Sequence, residues 1–310
     1  RENGYTRITI PAEQEMPDGN FTTCPYPNPE IREALEVGLK KAKEIGSDLL
    51  LATDPDCDRV GIAVRDGEDY KLISGNQMGI LLFDYICKTY TDNGTMPKDP
   101  VVVTTIVSTK MIDKIAADYG VEVRRVLTGF KFIGEQIGFL EAAGEADRYV
   151  FGFEESYGYL SGSHVRDKDG VNGSLLICEM FAHYKAKGRS LVEVLNALYE
   201  KYGYFKEALQ SITFEGASGA KKMTELMDSL RKNPPSEIAG FKVEDVKDYG
   251  AGVGDLPKSN VLEFNMENDV NVLVRPSGTE PKIKMYYLVK GDSEEAGDRI
   301  TASLEAYFTE

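Results

Sequence analysis

Mixed or parallel three-layer α/β domains followed by a smaller α+β domain are what this 310-residue sequence predicts, on three observations. Strand-like and helix-like runs alternate from residue 28 to about residue 190, the rhythm of sheets covered by helices. The texture changes at 200–206, EKYGYFK, which reads as a linker. Beyond it strands follow one another with helices at only two points, the pattern of a separate α+β domain of roughly 100 residues. The division that follows is 1–70 for the closing part of one α/β domain, 71–200 for a complete second one and 206–310 for the third. The chain lacks an initiator methionine and opens almost at once on a strand-like run, so it reads as a piece of something longer.

The elements follow in order. NPEIREALEVGLKKAKEIG, from Asn28, offers a cap, a proline at the first helical position and apolar residues Ile31, Leu35, Ala42 and Ile45 on one face. DLLLAT and VGIAV read as short strands on either side of an acid-rich turn, and an apolar helix follows over about 76–90. Next come VVVTTI at 101, a helix from Lys110, VEVRRVL at 121, a helix from about Phe132, RYVFGF at 148 and a helix from about Gly173. Strands joined through helices predict a parallel sheet, with ligands beyond the carboxyl ends of its strands. The last part holds a helix around 219–231, the strand GFKVEDV, a Gly- and Pro-containing loop at 250–259, the strands VLEFNM, VNVLVRPSG and KIKMYYLV, and a final helix from about Ser293.

Composition bounds the function. With 42% apolar and 28% charged residues the chain can bury large cores, and disorder is not expected. Fifty-one acidic against 36 basic side chains give a net charge of −15, which argues against nucleic acid or an anionic membrane as partner. Small anionic molecules remain open wherever basic groups gather. Cys24, Cys57, Cys87 and Cys178 are scattered without metal-type spacing and read as reduced core thiols, which fits a cytoplasmic protein. No apolar run approaches the length of a membrane span, and RENGYTRITI has neither signal-peptide nor transit-peptide form.

Four stretches carry unusual chemistry. In LATDPDCDRVGIAV, Asp54, Asp56 and Asp58 alternate along a turn between two buried strands. That spacing can aim three carboxylates at one point, and carboxylate oxygens are hard ligands suited to Mg²⁺. A cation would offset their repulsion, and the Arg59 fork could hold a phosphate beside it. A solvated acidic turn is the plain alternative. TGFKFIGE follows a strand and opens a helix, so Gly129 and Lys131 stand where an anion or a sugar hydroxyl could be met, although such a turn is also ordinary connection chemistry. FGFEESYGYLSGSHVRDKDG places Glu154 and Ser156 at a strand end, with His164, Arg166 and Lys168 close behind. Acceptors for polyol hydroxyls beside cationic, proton-transferring groups suit a sugar phosphate. His164 could equally be a plain loop residue, and His183, inside an apolar helix, reads as packing. RPSGTEPKIKMYY joins Arg275, Ser277, Gly278 and Thr279 in a tight turn that could form a phosphate nest, without the glycine spacing of a Walker A loop.

Together, and in this order, DPDCDR, TGFKF, EESYGY with HVRDKDG, and RPSGTEP resemble the signature set of the α-D-phosphohexomutases, the phosphoglucomutase and phosphomannomutase superfamily; PDGNF and PNPE upstream extend the likeness over nearly the whole chain. The resemblance implies α/β domains of the phosphohexomutase type around a central cleft. It implies a soluble enzyme, a monomer or homodimer, that moves a phosphoryl group between C1 and C6 of a hexose phosphate through a phosphoserine and a sugar 1,6-bisphosphate. Asp54, Asp56 and Asp58 would then hold Mg²⁺ and Arg59 would orient the transferring group. Gly129 and Lys131 would face the sugar, Glu154 and Ser156 would bond its 3- and 4-hydroxyls, and Arg275, Ser277, Gly278 and Thr279 would grip the non-reacting phosphate. His164, Arg166 and Lys168 would assist phosphate binding and proton transfer, with the general acid or base unassigned among them.

The departures are informative. No TASHNP-like serine loop occurs in the sequence, and Ser108 in TTIVSTK is no substitute, because the histidine and asparagine are missing and it falls after the metal motif. The family's first domain is therefore expected to be absent and the chain inactive alone. Phe153 and Tyr157 stand where the bifunctional phosphomannomutase type has glycines, so glucose phosphate leads as substrate, with mannose, ribose and deoxyribose phosphates open.

Overall fold

A computed structural model describes residues 2–214, 219–277 and 281–309. In chain order they form α1 (Arg32–Ile45), β1 (Leu49–Thr53), β2 (Val60–Asp66), β3 (Asp69–Ile73), α2 (Gly75–Asn93), β4 (Val101–Thr105), α3 (Met111–Tyr119), β5 (Glu122–Val126), α4 (Phe130–Ala142), β6 (Tyr149–Glu154), β7 (Gly158–Leu160) and α5 (Gly170–Ala186). Then follow α6 (Leu191–Tyr202), β8 (Tyr204–Thr213), α7 (Gly219–Lys232), β9 (Glu237–Ile238), β10 (Phe241–Asp248), β11 (Leu262–Met266), β12 (Val270–Pro276), β13 (Lys282–Gly291) and α8 (Glu294–Thr309). The architecture is that of mixed α/β layers followed by a smaller α+β part, and the chain divides into two compact units, 1–103 with 133–196 and 104–132 with 197–310.

In the first unit β1, β2 and β3 form an antiparallel meander, with Leu49 opposite Val64 and Thr53 opposite Val60. These strands pair antiparallel because the connections at 54–59 and 67–68 are too short to cross over. Helix α1 lays Leu35, Leu39 and Ala42 on this sheet, against Ala63 and Tyr70. It starts later than the proline suggests. Asn28 closes a local turn instead, its side chain accepting the Glu30 N–H at 3.0 Å and its carbonyl the Ile31 N–H at 3.0 Å, so Ile31 becomes the residue before the helix. Ile31 and Ile45, expected on the buried face, are therefore exposed at the two ends.

Helix α2 is fixed at its start by a reciprocal capping box between Ser74 and Gln77, and it is buried on most sides. It packs on β6, where Gly79 lies so close to the Phe153 ring that a Cβ would come within 2.3 Å of it. Strands β4, β6 and β7 are neighbours in that order, with β6 and β7 antiparallel, and α5 covers β7. His183 packs as expected, its ring edge-on to Tyr85 and Tyr184. All four cysteines are free, but only Cys87 is fully buried.

In the second unit an antiparallel sheet runs β8-β13-β12-β11-β10-β9. Val272, Val274, Ile283, Met285 and Tyr287 face one core with Met227 of α7 and Leu304 of α8, while Leu273, Tyr286 and Leu288 face the other way, against Ile106, Val107 and Leu127. Both faces of the central strands are covered, which is why apolar residues follow one another in VLV of β12 and MYYLV of β13. The Arg125 guanidinium gathers the 105–113 segment, donating to the carbonyls of Thr105 and Ser108 at 3.1 Å and to Asp113 at 2.8 Å. Ser108 is fully buried, its hydroxyl 2.8 Å from that of Thr105, in keeping with a structural role.

The stretch read as a linker is structured almost throughout, with a joint of one residue. Helix α6 runs to Tyr202 and β8 begins at Tyr204, with only Gly203, at φ 106°, between them; Tyr199 and Tyr204 stack across the joint. On β8, burial pushes the Glu207 carboxyl up to about 7, against the opposing pull of the Thr109 hydroxyl and the charges of Lys206 and Arg125. A carboxyl with a raised folded-state pKa contributes most when protonated, so this unit should lose stability as pH rises from about 4.5 through about 7. Glu207→Gln should flatten that slope and raise stability at pH 8 by roughly 1–2 kcal/mol, measured by urea unfolding at pH 5 and pH 8. An unchanged slope would remove Glu207 as its source.

No helix among the described residues is long and apolar enough to cross a membrane.

Candidate functional site

The metal-type loop sits where β1 turns into β2, and Asp54 organises it. Its side chain is buried; Oδ1 accepts the backbone N–H groups of Asp58 at 3.1 Å and Arg59 at 3.0 Å, and Oδ2 accepts Arg59 Nε at 2.8 Å. A backbone bond from Cys57 to the Asp54 carbonyl closes the turn, and Cys57 takes a left-handed φ of 57°. One oxygen from each of Asp54, Asp56 and Asp58 lies within 4.8 Å of the others. Burial works to raise the Asp54 pKa, but hydrogen bonds from the Arg59 backbone, Asp58 and the Arg59 side chain outweigh it and hold the group below its usual value. Asp58 goes the other way, raised by burial although Lys168 opposes the shift.

The donor set fits a hard divalent cation. Asp58 Oδ1 is buried with no hydrogen-bond partner, the nearest Arg59 nitrogen being 3.6 Å away, and an orphaned carboxylate oxygen is what an ion would satisfy. Three carboxylates and no softer ligand suit Mg²⁺.

The second loop packs on the first. Arg59 pairs with Gly158 in an isolated antiparallel bridge, the Val60 N–H donates to the Tyr157 carbonyl at 3.1 Å, and the Gly170 N–H donates to the Cys57 carbonyl at 3.0 Å. Tyr157, at φ 68°, takes the left-handed turn that brings β6 back as β7. Lys168 reaches over Gly158, where a Cβ would meet its Cδ at 2.3 Å, and sets Nζ 2.7 Å from Asp58 Oδ2 and 3.2 Å from Asp167 Oδ1. Burial disfavours its charge, yet the hydrogen bond to Asp58 and the charges of Asp167, Asp58 and Glu154 raise its pKa.

Glu154, at the end of β6, is 6% exposed. Burial raises its pKa, while Lys168 and a hydrogen bond from Ser156 pull the other way. The loop thus brings Glu154, Ser156 and Lys168 to the side of the aspartates. His164 and Arg166 stand differently. His164 Nε2 lies 3.1 Å from Asp169, which caps α5, and Arg166 is turned to the carbonyls of Ser163 and Val165 and to Glu141.

In the second unit Gly129 has a φ of 116° and open space where a Cβ would lie, and its carbonyl accepts the Phe132 N–H at the start of α4. Lys131 Nζ stands 4.9 Å from the centre of the Phe132 ring. Arg275 is half-buried near the end of β12, opposite Lys284, and the Ser277 N–H returns to the Lys282 carbonyl at 2.8 Å. Gly278 and Thr279, expected in the phosphate turn, lie outside the described residues.

Two residues at the site escaped the sequence reading. Glu30 accepts Arg59 Nη1 at 3.1 Å, and Asp167 shares Lys168 with Asp58. The motif PNPE lies 24 residues before Asp54 at its glutamate and offered no spacing clue; only the fold brings it to Arg59.

Residues 1–67 match "Phosphoglucomutase/phosphomannomutase, alpha/beta/alpha domain II", 74–202 match domain III of the same family and 222–306 match its C-terminal domain. The chain belongs to the phosphoglucomutase/phosphomannomutase family. Among curated relatives, a phosphoglucomutase of Staphylococcus aureus is 36% identical over 313 residues, covering 97% of this chain and 55% of the relative. A Haemophilus influenzae protein named "Probable phosphomannomutase" is 35% identical over 304 residues, covering 97% of this chain and 58% of the relative. The chain thus spans a little over half the length of these relatives. A crystal structure of a phosphoglucomutase/phosphomannomutase family protein from Burkholderia thailandensis shares the fold, with a TM-score of 0.64 at 18% identity over 94% of this chain and 53% of that one.

Proposed function

We propose that this chain is the sugar phosphate recognition part of a phosphohexomutase that exchanges glucose 1-phosphate and glucose 6-phosphate through a phosphoserine and glucose 1,6-bisphosphate. The observation that carries the reading is the packing of the Asp54–Arg59 loop against Glu154, Ser156 and Lys168 in one unit. Asp54, Asp56 and Asp58 would hold Mg²⁺, which when bound supplies positive charge to a transferring phosphoryl group. Arg59, fixed by Asp54, presents its guanidinium to the same group and offsets charge as it develops. Glu154, whose charge Lys168 favours against the opposing effect of burial, would accept sugar hydroxyls, and Ser156 adds a second polar contact. Lys168 is the proton-transferring candidate, because it bridges the two loops; His164 and Arg166, which pair with Asp169 and Glu141 here, would serve the phosphate from the edge on turning toward it.

Gly129 and Lys131 are assigned to the sugar, and Arg275, Ser277, Gly278 and Thr279 to the non-reacting phosphate, whose remote binding energy can be used at the reacting end. Mannose, ribose and deoxyribose phosphates are the competing substrates. No donor serine loop occurs among the 310 residues, so this chain alone is proposed to bind without turnover, as a cytoplasmic protein, monomeric or dimeric.

Calorimetric titration with glucose 6-phosphate, mannose 6-phosphate and ribose 5-phosphate, each with Mg²⁺, tests this. Tightest binding of the glucose ester, weakened about tenfold or more by Glu154→Ala through loss of charge-assisted hydrogen bonds, is expected. Equal or absent binding of all three by the folded chain would remove the reading.

A further inference from the structure

Arg59 is held from two sides by carboxylates of different kinds. Nε is bonded to Asp54, a member of the metal-type cluster, and Nη1 to Glu30, which stands outside it at 3.1 Å. Nε also lies 3.6 Å from Asp58 Oδ1, the buried oxygen that has no hydrogen-bond partner. The guanidinium is therefore within one small rotation of closing on the very oxygen a cation would use. An arginine released from its outer partner would gain by making that contact, because an orphaned carboxylate oxygen and an unsatisfied guanidinium are each costly away from bulk water. A planar guanidinium bonded at both Nε and Nη1 is also fixed in its rotation about Nε, which leaves Nη2 as the edge free to meet a ligand.

We propose that Glu30 is a positioning residue that tethers Arg59 away from Asp58 and so keeps the aspartate cluster open for Mg²⁺. The inference rests on reading Asp54, Asp56 and Asp58 as the metal site. Glu30 reaches Arg59 from the turn that Asn28 closes ahead of α1, and its backbone N–H is bonded to the Asn28 side chain at 3.0 Å, so the tether is anchored by local structure rather than by a long flexible reach. The ligand it serves is a divalent cation, and its action is indirect, through Arg59. A simple charge effect makes a competing claim: a carboxylate near the cluster would attract Mg²⁺ whether or not it touched Arg59. The two accounts separate when Arg59 is removed, since a tether then has nothing to hold and a charge still attracts.

The test is Mg²⁺ titration of the 310-residue chain by calorimetry, in wild type, Glu30→Ala, Glu30→Gln, Arg59→Met and the Glu30→Ala/Arg59→Met double variant. Glu30→Ala should weaken Mg²⁺ about tenfold, the lower end of what loss of an outer partner costs a metal site. Glu30→Gln keeps an acceptor for Nη1 and should stay within about twofold of wild type, while Glu30→Ala added to Arg59→Met should change the affinity by less than about twofold. An equal loss in the Arg59→Met background, or an equal loss in Glu30→Gln, would overturn the tether in favour of charge alone. Unchanged affinity in Glu30→Ala would overturn it outright. Absence of saturable Mg²⁺ binding by the wild type would instead bring down the metal-site reading, and the tether with it.

Discussion

Asp54→Ala is expected to cost both the metal and the loop, whereas Asp56→Ala should cost the metal alone. The two carboxylates belong to one cluster but carry different loads. Asp54 is buried and accepts from three donors, the N–H groups of Asp58 and Arg59 and the Arg59 side chain, while Asp56 is exposed and has no such task. Removing Asp54 leaves two backbone donors and a guanidinium without their shared partner. Breaking such a partly buried pair from one side costs roughly 2–4 kcal/mol. For a unit of this size that corresponds to a fall in Tm of roughly 5–10 °C. Asp56→Ala should change stability by no more than about 0.5 kcal/mol, as is usual at the surface, and so move Tm by no more than about 2 °C. Both should weaken Mg²⁺ by more than about tenfold, since loss of a ligand exceeds the loss of an outer partner. Thermal unfolding and Mg²⁺ calorimetry on the two variants decide the matter. Equal Tm values would mean that Asp54 does not organise the turn, and retained Mg²⁺ affinity in Asp56→Ala would take Asp56 out of the cation site.

This asymmetry was not legible in the sequence, and the reason is general. DPDCDR reveals three carboxylates at alternate positions, but alternation treats them alike; only the path of the chain decides which one turns inward to collect backbone donors. The strands and helices were legible wherever one period dominated. VVVTT, RYVFGF and KIKMYYLV became β4, β6 and β13, and the segment from Gly173 became α5 with a start three residues earlier, at the Asp169 cap. Errors fell where a local side-chain bond overrode a familiar pattern. Pro29 looks like the first residue of a helix, yet Asn28 uses its side chain on the Glu30 N–H and holds the chain in a turn until Ile31. EKYGYFK looks like a linker because of its glycine and charges, yet its tyrosines are the joint between α6 and β8. Glu30 could not have been placed by spacing, since it meets Arg59 only through tertiary contact, whereas Asp167 meets its own neighbour Lys168 and matters at the site only because the fold carries Lys168 to Asp58.

Gly75→Ala tests how tightly the sugar-type loop is set, and its effect should be large for a single methyl group. Gly75 is the first residue of α2, with ordinary helical backbone, so alanine there would by itself favour the helix by up to about 1 kcal/mol. The obstacle is contact. A Cβ at this position would lie 2.0 Å from the Glu155 carbonyl oxygen and 2.9 Å from the Tyr157 nitrogen, both backbone atoms that no rotamer change can move aside. The 155–157 segment must shift, and overpacking of this kind costs roughly 1–3 kcal/mol. Glu154 and Ser156 flank the displaced peptide, so sugar phosphate affinity should fall about tenfold, in line with about 1.4 kcal/mol of lost contact. Gly138→Ala, in α4 with nothing within 4 Å of the new Cβ, is the control and should stabilise slightly while leaving affinity unchanged. If Gly75→Ala kept wild-type affinity despite a lower Tm, the sugar would have to be recognised away from Glu154 and Ser156; if it kept both, the helix start and the loop would have enough play that their close approach has no part in holding the site.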